Sequence, residues 1–146
     1  MAYIAVVGPG DAGSEQCEVA EAVGRELARR GAVLVCGGLG GVMEAAARGA
    51  REAGGTAVGI LPGLDRGAAN EFVDLALPTG LGEARNVLVV RAADALIAVG
   101  GGSGTLSEIA LALKAGKRVV GLDSWDLGVG IEPAGSPEEA VDRALS

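Results

Sequence analysis

Short apolar runs rich in β-branched residues alternate along the chain with longer stretches whose apolar positions recur every three or four residues. The first pattern predicts strands and the second amphipathic helices. Tyr3–Val7 (YIAVV) reads as the first strand and ends in Gly8-Pro9-Gly10. From Ser14 to Arg30, Val19, Val23 and Leu27 fall on one face while Glu18, Glu21, Arg25 and Arg29 lie off it, which predicts a helix. Ala32–Cys36 is a second strand, followed by Gly37-Gly38-Leu39-Gly40-Gly41 and a helix reaching about Gly54-Gly55. Thr56–Leu61 and Val73–Leu77 are further strands. Glu83–Ala92 is a helix, Ala95–Val99 a strand, Thr105–Ala115 a helix and Arg118–Leu122 a strand. Ser136-Pro137-Glu138-Glu139 opens a last helix, with an N-cap serine, proline at the first helical position and glutamate at the third.

The strands are apolar throughout rather than alternating, which indicates a parallel sheet covered on both faces. Right-handed crossovers then give an α/β, Rossmann-like doubly wound sheet in a three-layer sandwich. No linker, repeat or low-complexity segment divides residues 1–146, so one domain is expected. Ligands of such sheets sit beyond the strand C-termini. The glycines gather at that edge, in Gly8-Pro9-Gly10, Gly37–Gly41, Pro62-Gly63 and Gly100–Gly104.

Composition narrows the chemistry. There is no histidine, so imidazole catalysis and histidine-ligated metals are excluded. A net charge of −7 and only three aromatic residues (Tyr3, Phe72, Trp125) argue against a nucleic-acid partner. Cys17 and Cys36 form neither a C-x-x-C pair nor a four-thiolate set, so no metal and no disulfide framework is implied. Residues 1–10 lack a basic leader and no run is long enough to cross a bilayer, so the cytoplasm is the expected compartment.

The strongest local signal is Val99-Gly100-Gly101-Gly102-Ser103-Gly104-Thr105. A buried strand ends, four glycines free the backbone, and a helix begins, so unpaired amides and the helix dipole favour an anion. The segment is neither G-x-x-x-x-G-K-[ST] nor a well-placed G-x-G-x-x-G, which speaks against a kinase-type loop or dinucleotide redox. Gly37–Gly41, with Gly37 and Gly38 leading, repeats the arrangement after the second strand, and Gly8 ends the first. Glu108 admits two readings: Thr105-Leu106-Ser107-Glu108 fits a capping box, or its carboxylate faces the anion site and does acid–base work. Arg85 stands in a first helical turn against the dipole, so an anionic ligand group or a carboxylate is expected to hold it. Arg91 is either a partner of Asp94 or a second anion contact. The polar 62–72 loop, flanked by proline and glycine, is a candidate border of the ligand site, and the sequence does not identify what Asp65, Arg66, Asn70 and Glu71 contact.

Gly37-Gly38-Leu39-Gly40-Gly41-Val42-Met43, Glu83-Ala84-Arg85-Asn86 and Gly100-Gly101-Gly102-Ser103-Gly104-Thr105-Leu106-Ser107-Glu108 resemble the ordered motifs of the Lonely Guy (LOG) family, once labelled lysine decarboxylases. The resemblance runs from the first strand to Ser136–Ala140 and is nearest to a short bacterial branch related to molybdenum cofactor carrier proteins. It implies a homodimer or homotetramer that hydrolyses the N-glycosidic bond of nucleoside 5′-monophosphates to free base and ribose 5-phosphate. Carried over by position, Gly101, Gly102, Ser103, Gly104 and Thr105 would hold the phosphate, Glu108 would be the catalytic carboxylate and Arg85 its partner. Gly100 stands where the enzymes have proline and Asn86 where they have lysine. The decarboxylase label fails on chemistry, because Lys114 and Lys117 close a helix away from the glycine loops and cannot form a Schiff base there.

Two functions are therefore weighed. The first is a phosphoribohydrolase in which Glu108 stabilises oxocarbenium-like charge or activates water, with no second acid evident in the sequence. The second is a non-catalytic carrier of a nucleotide or molybdenum cofactor, using the same glycine loops. Neither requires a resident cofactor. Val87-Leu88-Val89-Val90 exceeds what one buried helix face needs and is either a subunit interface or doubly packed core.

Overall fold

The computed structural model describes residues 1–146. Seven strands form one all-parallel sheet: β1 (Tyr3–Val7), β2 (Val33–Cys36), β3 (Ala57–Leu61), β4 (Leu75–Pro78), β5 (Ala95–Val99), β6 (Arg118–Leu122) and β7 (Ile131–Pro133). Five helices join them: α1 (Ser14–Arg29), α2 (Val42–Glu52), α3 (Asn86–Ala92), α4 (Ser103–Lys114) and α5 (Pro137–Leu145). The strand order is β4-β3-β2-β1-β5-β6-β7, so the direction of winding reverses between β1 and β5. This is the doubly wound α/β sandwich that the apolar strands predicted.

Within β1 the side chains divide by turns. Ile4 and Val6 point to the face covered by α1, α2 and α5, while Ala5 and Val7 point to the face covered by α3 and α4. The period of two in a strand thus feeds both layers from one apolar run. The second face is the thinner. Leu77 pairs with Ile60, whose side chain points to the α3 face, yet Leu75 and Leu77 remain 56% and 52% exposed.

Two elements of the sheet and its crossovers differ from the sequence reading. β7 was not foreseen, since Ile131–Pro133 is only three residues long and ends in proline, which edge strands tolerate. The helix expected over 83–92 divides into a 3₁₀ turn at Gly82–Arg85 and α3 proper. In α3, Val89 and Val90 are core while Val87 and Leu88 stay exposed, so the four-residue apolar run serves the core with only its second half.

Candidate functional site

At the switch point, where the ends of β1 and β5 diverge, lies a cleft of about 410 Å³. The β1–α1 loop supplies Gly8, Pro9, Gly10 and Asp11; the loop after β2 supplies Gly37, and α2 supplies Met43. Arg85 and Asn86 enter from the start of α3. Gly102, Ser103, Gly104, Thr105 and Glu108 enter from the start of α4.

Helix α4 begins at Ser103, two residues earlier than expected, with Gly102 as its N-cap at φ +98° and no side-chain cap. That φ is the reason for glycine at this position, since a Cβ would be strained there. Because the helix starts early, Thr105 and Glu108 fall too deep to form a capping box. The box reading is thereby removed, and Glu108 is a buried residue, 8% exposed, on the cleft wall. Burial pushes its carboxyl up to about 7, against a partial opposing pull from the Arg85 charge.

Arg85 is held differently from the expectation. Its Nε donates to the Ile60 carbonyl at 2.9 Å, Nη2 to the Gly37 carbonyl at 3.3 Å, and Nη1 to Asn86 Oδ1. Strand-end carbonyls, rather than a carboxylate, pin the guanidinium. Gly37 makes this approach feasible, as a Cβ there would sit 2.6 Å from Nη2. Behind them, burial pushes the Cys36 thiol up to about 11, so it is a packing group rather than a nucleophile.

Of the residues singled out from sequence, Gly8, Gly37, Arg85, Gly102, Ser103, Gly104, Thr105 and Glu108 meet in the cleft. Gly38, Gly101 and Arg91 do not. Gly38 packs toward Leu61 and accepts hydrogen bonds from Asn70, and Gly101 lies beside Trp125. Arg91 lies about 1.7 helical turns beyond Arg85 and so emerges on another face, with Lys114 in a shallow pocket between α3 and α4. No ion pair joins it to Asp94. The 62–72 loop also lies outside the cleft, with Asn70 tied to the Gly38 and Leu39 carbonyls and Asp65 turned onto the Gly67 amide. Sequence reasoning missed Asp11, a second carboxylate in the cleft. Its place directly after the Gly-Pro-Gly turn at a strand C-terminus was the available signal. No cluster of three or more potential metal ligands is present, and no helix is long and apolar enough to cross a membrane.

Comparison with known proteins adds a lineage. An uncharacterized protein of Archaeoglobus fulgidus is 48% identical over 146 residues, spanning 100% of this chain and 96% of its own length. The molybdenum cofactor binding protein of Rippkaea orientalis superposes with a TM-score of 0.93 at 40% identity, covering 99% of this chain and 95% of that one. The molybdenum cofactor carrier protein of Chlamydomonas reinhardtii gives 0.90 at 37% identity, covering 99% and 97%. DNA processing protein A of Streptococcus pneumoniae, at 19% identity and TM-score 0.81, covers 97% of this chain and 61% of its own and shares the fold alone. The profile of the SLOG cluster4 family matches residues 1–143, and the chain belongs to that family.

Proposed function

We propose that this SLOG cluster4 protein binds a phosphate-bearing small molecule in the switch-point cleft and carries it unchanged, the molybdenum cofactor being the leading cargo. The observation that carries the reading is one helix start. Ser103, Gly104 and Thr105 at the start of α4 line the cleft beside a fixed arginine, and on the same wall the Glu108 carboxyl opens to the cleft and makes no hydrogen bond within the chain. The amides of Ser103, Gly104 and Thr105 would hold the phosphate, helped by the helix dipole. Arg85, already oriented by Ile60 and Gly37, keeps unused N–H groups for the same anion. Glu108 would meet a polar group of the cargo, because its carboxyl lines the cleft with its hydrogen-bonding capacity unused by the chain. The names of the Rippkaea and Chlamydomonas relatives support this cargo. The net charge of −7 supports a small ligand over a nucleic acid.

One observation favours the hydrolase reading as a second. Glu108 at about 7 lies in the range of a general acid or base, and the likeness to Lonely Guy enzymes centres on that residue and Arg85. Asp11 in the same cleft supplies the second carboxylate that the sequence did not reveal.

The deciding experiment is loading with purified molybdenum cofactor, run beside incubation with nucleoside 5′-monophosphates and chromatography for free base. Stoichiometric retention without product is the expected result. Base release that vanishes in Glu108→Gln would replace the carrier reading with the hydrolase.

Self-association belongs to the same proposal. The half-exposed Leu75 and Leu77 of β4, with Leu81 and Leu88, leave one face of a parallel sheet uncovered, and a second copy of the chain would cover it. Sedimentation equilibrium should show a dimer or tetramer, and Leu77→Glu should shift it toward monomer.

A further inference from the structure

We infer that Trp125, in the loop between β6 and β7, is the positioning residue of the anion-binding loop; the inference rests on the anion-binding reading above. Like α1, α2 and α3, α4 starts without the side-chain cap that a Ser, Thr, Asp or Asn would supply. Its first carbonyl is fixed from elsewhere. Trp125 Nε1 donates to the Gly102 oxygen at 3.0 Å, the same oxygen that receives the Leu106 amide at 3.0 Å to open the helix. The indole also lies against Gly101, 3.9 Å from where a Cβ would stand.

The consequence follows from peptide planarity. The Gly102 carbonyl and the Ser103 N–H belong to one rigid unit and point in opposite directions. Anchoring the oxygen on Trp125 therefore aims the Ser103 amide toward the cleft. The Leu106 amide and the indole N–H together hold this peptide, next to a glycine whose backbone is otherwise the least restrained.

Core packing does not explain the tryptophan, which remains 38% exposed. The residues before it are arranged at a cost. Asp123 is the one non-glycine residue with positive φ, at +48°, and the buried Ser124 hydroxyl has no hydrogen-bond partner. Strain and an unsatisfied hydroxyl in adjacent residues mark a segment whose conformation is imposed by what it delivers. What it delivers here is the indole N–H.

The test uses the intact chain and inorganic phosphate, followed by amide and indole N–H resonances in a sulfonate buffer. Trp125 is the sole tryptophan, so one indole signal reports on it. That signal should move along the same titration curve as the Ser103 and Gly104 amides. Trp125→Phe keeps a ring and removes the donor, and should weaken phosphate binding about fivefold at an unchanged melting temperature. Equal affinity in Trp125→Phe, or an indole signal that stays fixed while the loop amides move, would overturn the role. Should the variant fail to fold, the indole titration of the parent decides alone. If no amide of the parent moves up to high phosphate, the anion-binding reading itself falls, and this inference with it.

Discussion

The two ends of the sheet offer a controlled comparison. Beyond the strand N-termini lies a cavity of about 520 Å³, larger than the 410 Å³ cleft at the opposite edge. Its charged groups are nevertheless occupied. Lys117 Nζ donates to the carbonyls of Val90 at 2.7 Å, Arg91 at 3.1 Å and Ala93, closing the C-terminal end of α3. Arg118 does the same for the end of α5 through the Arg143 and Ser146 carbonyls and pairs with Glu132. Asp94 accepts the Tyr3 amide at 2.8 Å. At the other edge the Glu108 carboxyl lines the cleft with no hydrogen bond to the chain, and the start of α4 has no side-chain cap. The two edges differ less in space than in how fully their polar groups are paired within the chain.

The largest expected effect comes from Glu108. Its folded-state value near 7, against an ordinary 4.5, means that the native chain keeps a proton which the unfolded chain has released. This contribution is full below the unfolded value and is lost as pH rises through 7. Glu108→Gln should match the parent at low pH and exceed its stability by about 3 kcal/mol near pH ~8, measured by urea unfolding across the range. A parallel pH dependence in both proteins would erase the contrast between the two edges.

Lys117→Met comes next. Losing one ammonium that serves three carbonyls should cost about 2 kcal/mol, visible as a lower urea midpoint, while cargo binding is unchanged. Weaker binding in this variant would mean that the edges are not independent. The smallest effect is that of Asp94→Asn, which still accepts the Tyr3 amide but without charge. A loss of about 0.5 kcal/mol is expected by the same measurement.

Much of this arrangement was legible from local pattern. The six longer strands announced themselves as apolar runs, several of them closed by glycine, and the parallel topology put their loops on one edge. The last helix began where Ser136 accepts the Glu139 amide, as its signature predicted. What stayed hidden depended on distant contacts. Glu108 read equally as a cap or a site residue because its meaning turns on whether α4 starts at residue 103 or 105. Gly102 fixes that start with a positive φ, and its carbonyl accepts a hydrogen bond from Trp125, 23 positions later. Arg85 was recognised as anomalous, but its partners are carbonyls, which carry no residue-type signal. Arg91 was misplaced because periodicity within a divided helix does not survive the 3₁₀ turn before it.

The two outermost strands share one further property. β4 and β7 each end in proline, Pro78 and Pro133, and the amides just after them, Thr79 and Ala134, donate inward to Leu61 and Gly121. Each proline thus occupies a place where an amide would point away from the sheet. The ladder is denied a donor at both borders, which guards a leucine-rich margin against runaway strand addition and fibre growth. The self-association proposed above would use the side chains of β4, while open-ended stacking of sheets edge to edge is discouraged.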